Sequence, residues 1–226
     1  MRVLAIDTAL DACSVAVLDT QRAAITASET REMTRGHAEA LMPMIARVMD
    51  HAKIEFIELD RIAVTVGPGS FTGLRVGIAA ARGIALAAGK PAVGLTTLSG
   101  FAAPHIADDD TKPVTAVIDA RHEHVYVQVF APGGRTIIAP RLAPLREAVR
   151  AASGRTARIV GSAAELVASA WPSDEPMPVL VDQRSAPDIG WIARLGAAAD
   201  EHGPPKPLYL RAPDAQPQDA ARLPRR

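Results

Sequence analysis

A glycine-rich turn between a strand and a long helix is the feature that most restricts how this chain folds. The β-branched run at 61–66 leads into the turn GPGSFTG, and a helix of small residues is predicted at 73–89. Such a turn exposes backbone N–H groups at a helix N-terminus, where an anion is favoured. Its spacing matches neither the P-loop nor the dinucleotide-binding fingerprint. A turn that only packs the helix tightly on a sheet explains the same residues, and both interpretations stay open.

Composition removes several classes of function. The chain has 226 residues, with 25 Lys plus Arg and 25 Asp plus Glu, so no net charge attracts it to nucleic acid or an anionic membrane. Cys13 is the one cysteine, which excludes an intrachain disulfide and suits the reducing cytosol. The longest apolar stretch is interrupted by Arg82, and no leader pattern follows Met1. We therefore expect a cytoplasmic protein that does not enter a membrane.

Periodicity predicts the same order of elements twice along the chain. In the first half, strands are predicted at 2–7, 12–18, 23–29, 61–66 and 91–95. Helices are predicted at 36–51, 73–89 and 98–105. After a polar break at 108–113, strands are predicted at 114–119, 124–130, near 136, 158–160 and 179–181. Helices are predicted at 142–152, 163–171 and 189–202. The pattern predicts an α/β fold of two similar lobes, 1–106 and 112–211. The sequence leaves open whether the last helix, 189–202, packs on its own lobe or back on the first. The tail at 212–226 is rich in Pro, Ala and Arg and is predicted to be disordered.

Five stretches together resemble a known family. They are LAIDTA from Leu4, RGHAEALMPMI from Arg35, GPGSFTGLRVG from Gly67, VIDAR with EHVY from Val117, and PLYLR from Pro207. In this order and spacing they resemble the bacterial TsaB (YeaZ-like) family, which takes part in tRNA threonylcarbamoyladenosine synthesis. The resemblance covers nearly the whole chain up to Arg211.

The resemblance implies a duplicated fold of the actin, Hsp70 and sugar-kinase (ASKHA) type and an accessory role without catalysis of its own. In that family the catalytic relative is TsaD, an ATPase called TsaE joins the complex, and tRNA is reached through the complex. The assembly attaches a threonylcarbamoyl group to the adenosine next to the anticodon of tRNAs that read codons beginning with A. Alone, such a chain is expected to form a homodimer. The alternative is a stand-alone ATP-binding phosphotransferase or ATPase of the same fold.

No catalytic or metal-binding residue is expected. Thr97 and Phe101 stand where the catalytic relative carries two metal-binding histidines, and neither side chain is a useful metal ligand. Ser70, Ser99 and Cys13 lack any neighbouring pattern that would activate a nucleophile.

A degenerate nucleotide site is the candidate for small-molecule binding. The residues proposed for it end the first strand of each lobe or form the glycine-rich turn: Asp7, Thr8, Gly67, Gly69, Ser70 and Asp119. Glycine is missing beside Asp7, where close approach to a phosphate would require it. Both aspartates serve equally as caps of turns, so ATP or ADP binding is expected to be weak, shared with a partner or absent.

A docking surface for TsaD is predicted on the helices at 36–51 and 73–89. Both carry more apolar or small residues than one sheet-facing stripe needs, and methionine-rich faces adapt to partners. The predicted contact residues are His37, Leu41, Met42, Ile45, Met49, Leu74, Ile78 and Ala81. Burial of all of them under the chain's own sheet is the competing interpretation.

Overall fold

A computed structural model describes residues 1–153 and 158–211 of the chain; the predicted disorder of 212–226 lies outside them. The first lobe begins with three strands and continues as helices alternating with strands. Its elements are β1 (Arg2–Asp7), β2 (Ala12–Asp19), β3 (Ala24–Glu32), α1 (His37–Ala52), a 3₁₀ turn (Phe56–Glu58), β4 (Arg61–Gly67), α2 (Phe71–Ala88), β5 (Ala92–Thr96) and α3 (Thr97–Asp108).

The second lobe repeats this order. Its elements are β6 (Val114–Asp119), β7 (His124–Phe130), a 3₁₀ turn (Pro132–Gly134), β8 (Thr136–Pro144), α4 (Leu145–Ala152), β9 (Arg158–Gly161), α5 (Ala164–Ser169), β10 (Leu180–Gln183) and α6 (Ile189–Ala198).

The two sheets have the same topology. Sheet 1 has the strand order β3-β2-β1-β4-β5, and sheet 2 has β8-β7-β6-β9-β10. In each, the three meander strands pair antiparallel and the last two strands run parallel to the first. Val3 pairs with Arg61 in sheet 1 as Val114 pairs with Arg158 in sheet 2, which places the two lobes in register. The duplicated two-lobe α/β fold is confirmed.

The last helix of each lobe packs on the sheet of the other lobe. Ile192 and Ala193 of α6 lie in one apolar cluster with sheet 1, whereas Leu98 and Phe101 of α3 lie in a cluster with sheet 2. Helices α1 and α2 cover the opposite face of sheet 1, and α4 and α5 cover the opposite face of sheet 2. The exchanged helices therefore form a layer between the two sheets.

Three predicted helix boundaries were wrong by three or more residues. The helix expected to end at His105 continues to Asp108. The helix expected from Leu142 begins at Leu145, because Leu142 to Pro144 still pair with β7 and extend β8. The helix expected to reach His202 ends at Ala198, where Arg61 binds its terminal carbonyl groups.

Helix α2 is long and apolar enough to meet the length and composition criteria for a membrane-crossing segment. In the folded chain, however, eight of its residues are buried, and side chains such as Leu74 and Ile78 join the core of lobe 1. Its apolar character is thus accounted for by packing on sheet 1.

Candidate functional site

The glycine-rich turn packs backbone to backbone against the β1–β2 turn. The N–H of Ser70 donates to the carbonyl of Ala9 at 2.7 Å. A Cβ atom at Gly69 would lie 2.3 Å from the Ala9 oxygen, and one at Gly73 would lie 2.1 Å from the Thr8 oxygen. No side chain fits at these distances, so glycine is required by the contact itself. The geometry supports the packing interpretation of the turn, because the β1–β2 turn lies directly against Gly69 and Gly73.

Thr8 fastens the same contact from the other side. Its buried hydroxyl donates to the carbonyl of Gly73 at 2.7 Å, and a Cβ at Gly77 would lie 2.4 Å from that hydroxyl oxygen. The side chain of Ser70 caps α2 by accepting a hydrogen bond from the N–H of Gly73 at 3.3 Å. Both polar side chains therefore bind the protein itself.

Asp7 is sealed inside the protein. Its Oδ1 accepts hydrogen bonds from the Thr65 hydroxyl and from the N–H of Ala9, and its Oδ2 has no partner among the described residues. Burial raises the pKa of the Asp7 carboxyl, while those hydrogen bonds and the charge of His37 act in the opposite direction. A carboxyl group enclosed in this way cannot hold a solvated cation.

Asp119 lies in a different environment. When β1 is matched to β6 by the pairing of Val3 and of Val114, Asp7 corresponds to Ile118. Asp119 lies one position later in its strand, so its side chain lies on the opposite face of the sheet from the position that corresponds to Asp7. It is exposed, and its Oδ1 accepts the N–H of Arg121 at 2.7 Å. The two aspartates proposed as a matched pair are not structurally equivalent.

A polar cleft of about 590 Å³ separates the ends of the two sheets. It contains three of the six residues proposed for a nucleotide site, namely Gly69, Ser70 and Asp119, whereas the remaining three lie outside its lining. The cleft is lined by Ala9, Leu10, Asp11, Gly69, Ser70, Ile118, Asp119, Ala120, Arg121, Tyr126, Ser162, Gln183, Ser185 and Arg211. Its lining carries two acidic and two basic side chains, so it has no strong preference for an anion or a cation. Nucleotide binding stays a prediction.

Arg211 and Ser162 also line the cleft, although neither was among the residues proposed for a nucleotide site. The guanidinium Nη1 of Arg211 donates to the carbonyl of Ala120 at 2.9 Å and so ties the C-terminal segment to the β6–β7 turn. The hydroxyl of Ser162 accepts the N–H of Asp119 at 3.3 Å. Only the fold brings these distant positions together. Among residues 1–153 and 158–211, no group of three or more His, Cys, Asp or Glu could hold a metal.

The segment before Arg211 crosses lobe 1 as a strap. The N–H of Leu208 donates to the carbonyl of Val66 at 2.7 Å. Tyr209 stacks on Phe71 with ring centroids 5.4 Å apart, and its hydroxyl accepts from Arg75 Nε at 3.0 Å. The PLYLR stretch thus binds across the N-terminus of α2.

Most of the predicted docking residues face the core. Six of the eight are buried under sheet 1: Leu41, Ile45, Met49, Leu74, Ile78 and Ala81. Met42 is 51% exposed, and the half-buried His37 donates from Nε2 to the carbonyl of Leu10 at 3.1 Å. The stripe chosen from the sequence is the sheet-facing one, because that stripe is the more apolar. Docking through α1 and α2 stays a prediction that now depends on other residues.

The outer face of these two helices has an apolar groove of about 860 Å³. We call it the outer groove; it is lined by Met42, Ile54, Glu55, Phe56, Ile57, Ala80, Gly83, Ile84, Ala87 and Ala88. Among these lining residues, Ile57 is 61% exposed and Phe56 is 38% exposed. The sequence signal that could have indicated this surface is the adjacent apolar pair Phe56-Ile57 in the connection between α1 and β4.

Comparison with known proteins gives consistent relatives. The family model described as "TsaD: tRNA N6-adenosine threonylcarbamoyltransferase" matches residues 22–168. An uncharacterised protein of Mycobacterium tuberculosis is 32% identical over 219 residues, which cover 95% of this chain and 94% of that protein. The tRNA threonylcarbamoyladenosine biosynthesis protein TsaB of Escherichia coli is 38% identical over 127 residues, which are 56% of this chain and 53% of TsaB. The crystal structure of YeaZ from Pseudomonas aeruginosa superposes with a TM-score of 0.76 at 28% identity, covering 92% of this chain and 99% of YeaZ.

Proposed function

Because the chain belongs to the family that comprises TsaD and TsaB, we propose that it is a non-catalytic accessory subunit for tRNA threonylcarbamoyladenosine synthesis. Its relatives link it to that biosynthetic pathway. Within the pathway, it binds the catalytic TsaD subunit and activates it for threonylcarbamoyl transfer, and the ATPase TsaE joins the complex. It acts in the cytoplasm, and it reaches tRNA through the complex.

The outer groove is the observation that carries this proposal. Exposed Met42, Phe56 and Ile57 line a largely apolar concavity on one face of lobe 1, which is the character of a protein-binding surface. The small residues Gly83 and Ala87 let a partner's helix approach α2 closely. A subunit of the same fold, which presents two corresponding helices, matches this surface. Without such a partner, a second copy of this chain would cover it.

The residues proposed for nucleotide chemistry support the accessory role. Asp7 is enclosed, the glycine-rich turn packs against the β1–β2 turn, and Thr8 binds the backbone of α2. Among the described residues, no arrangement favours the alternative of a stand-alone ATP-dependent enzyme.

The test replaces exposed apolar side chains of the outer groove in the full chain. Met42→Asp and Ile57→Asp place a charge on this face without touching the core, so each variant should stay folded and lose at least about tenfold in affinity for TsaD. Met177→Asp is the matched control, since Met177 is 66% exposed in lobe 2. The measurements are the dissociation constant for TsaD and the yield of modified adenosine in the reconstituted reaction.

Two outcomes would contradict the proposal. If both groove variants bind TsaD as tightly as the Met177→Asp control does, the outer groove is not the interface. If TsaD and TsaE modify tRNA equally well without this chain, it is not an accessory subunit. Circular dichroism of each variant establishes that a lost interaction does not come from unfolding.

A further inference from the structure

A buried arginine of sheet 1 holds the end of the helix supplied by lobe 2. Arg61 is the first residue of β4 and is only 9% exposed. Its Nη1 donates to the carbonyl groups of Gly196 at 3.0 Å, Ala197 at 3.4 Å and Ala199 at 2.6 Å, at the C-terminus of α6. Its Nη2 forms an ion pair with Glu201 at 2.9 Å. The last carbonyl groups of a helix lack partners within the helix and favour a cation, so one guanidinium satisfies several of them.

A buried arginine of sheet 2 does the same for the helix supplied by lobe 1. Arg158 is the first described residue of β9 and is 4% exposed. Its Nη1 donates to the carbonyl of His105 in the last turn of α3 at 2.6 Å. Its Nη2 donates to the carbonyl groups of Asp109 and Lys112, each at 2.6 Å, in the connection that follows.

The two arginines occupy the same place in the duplicated fold. Arg61 pairs in register with Val3 of β1, and Arg158 pairs in register with Val114 of β6. A buried cation is costly unless its donors are satisfied. Here carbonyl oxygens at the end of an exchanged helix and in the segment that follows it bind the terminal nitrogens, whereas Nε of each arginine has no partner among the described residues. The same costly arrangement therefore occurs twice, once for each helix that crosses between the lobes.

The two exchanged helices are also packed so closely on their neighbours that neither helix has room to slide along them. A Cβ atom at Gly196 of α6 would lie 2.3 Å from the Cβ of Ala63 in β4. A Cβ at Gly100 of α3 would lie 2.5 Å from Cδ1 of Ile192 in α6. Each exchanged helix is thus seated closely on a neighbour and anchored at its C-terminal end.

We propose that Arg61 and Arg158 are a matched pair of clamps that hold the two lobes in one fixed arrangement. With both helix ends anchored to the opposite sheet, the cleft does not open and close. The outer groove and the cleft then keep a constant relative position. This inference does not depend on the proposed accessory function, because it concerns the chain alone.

Hydrogen exchange in the full-length chain tests the clamps one at a time. Arg61→Met should accelerate exchange in α6, and Arg158→Met should accelerate it in α3, each on the order of tenfold or more. The effect is crossed: a substitution in one lobe loosens the helix that the other lobe supplies in sequence. Arg47→Met is the matched control, because Arg47 is exposed and binds Glu29 within lobe 1. It should change exchange in neither helix.

Distances between the lobes test the rigidity itself. Spin labels at Arg22→Cys and Met177→Cys sit on exposed positions of lobes 1 and 2. They should give one narrow distance distribution, with and without magnesium ATP, and a broadened one in the Arg61→Met, Arg158→Met double variant. Burial raises the pKa of the Cys13 thiol to about 11, which keeps that native cysteine from competing for the label.

Several results would overturn the clamps. A broad or two-peaked distribution in the labelled parent chain would show that the lobes already move, and a narrow distribution in the double variant would show that the arginines do not hold them. Exchange that rises equally throughout the chain would reduce each arginine to a general stabilising residue. If Arg61→Met fails to fold, Glu201→Gln removes only the ion pair, and its smaller acceleration should still be confined to α6.

Discussion

At the scale of single residues, Asp7 couples folding to pH. Burial raises its pKa in the folded chain above the value in the unfolded chain. Below the unfolded value both states carry the proton, and the group contributes nothing to the pH dependence. As pH rises through and beyond that value, the unfolded state releases its proton first, so the folded state loses stability until the pH passes the folded pKa.

Asp7→Asn should remove this dependence, since the amide resembles the protonated carboxyl in shape and does not titrate. From about pH 4 upward, the free energy of unfolding of the wild-type chain should fall relative to the variant, by at most about 1.4 kcal/mol per pH unit. Urea unfolding of both proteins between about pH 4 and 7.5 measures the difference. Asp109→Asn is a control without a slope over most of this range, because hydrogen bonds from Thr111 lower the pKa of Asp109 to about 2, so above about pH 5 its carboxyl is ionised in both the folded and the unfolded chain. If the free energies of unfolding of the wild type and of Asp7→Asn changed with pH in parallel, the raised pKa of Asp7 in the folded chain would be contradicted.

At the scale of elements, helix α2 contains two glycines with opposite roles. A Cβ at Gly77 would lie 2.4 Å from the hydroxyl of Thr8, whereas a Cβ at Gly83 would have no atom within 4 Å. Alanine is the better helix former by about 1 kcal/mol wherever space allows it.

Gly83→Ala should therefore raise the free energy of unfolding by about 1 kcal/mol, and Gly77→Ala should lower it by about 1–3 kcal/mol through overpacking. Chemical unfolding of the two variants beside the parent chain checks the signs. Each variant serves as the other's control, because the same atom is added to the same helix. Equal effects would show that the contact between α2 and the β1–β2 turn is looser than the geometry indicates.

The order of elements was predictable from sequence, but the surfaces of those elements were not. Alternation and the 3.6-residue period set the strands and helices, because each lobe buries one face of each element. Helix α1 has apolar residues on the side that faces the sheet and on the side that faces away from it. Only the fold shows that Ile45 is buried and that Met42 is exposed. The apolar run Leu142 to Pro144 suits a strand end and a helix start alike, and pairing with β7 decides between them.

The candidate site was predictable only in part, for a similar reason. The sequence of the glycine-rich turn indicates a close contact with its backbone, but it does not say whether a phosphate or another loop makes that contact. In the structure another loop makes the contact: the carbonyl of Ala9 in the β1–β2 turn lies against Gly69. Ser162 and Arg211 line the cleft because the fold brings them there, and the PLYLR stretch that ends at Arg211 does not by itself indicate what it contacts.

At the scale of the whole molecule, the helix exchange makes each lobe depend on the other. The inner face of sheet 1 is covered by α6, which contributes Ile189, Ile192 and Ala193 to its apolar cluster. The inner face of sheet 2 is covered by α3, which comes from the first half of the chain. Neither half of the sequence contains all the residues that its own sheet needs to exclude water.

Lobe 1 alone should therefore fail to fold as a stable unit. A fragment of residues 1–111 lacks α6 and exposes the apolar residues that this helix covers: Val3, Ala5, Ala16, Leu18, Ala63 and Val93. It should unfold without a cooperative transition, whereas the full chain should unfold in one. The matched control joins residues 187–202 to that fragment through a flexible linker; since it restores both α6 and the carbonyl partners of Arg61, it should regain a cooperative transition. Cooperative thermal unfolding of the fragment without this helix, followed by calorimetry, would show that lobe 1 is self-sufficient and that the exchange is not needed to complete its core.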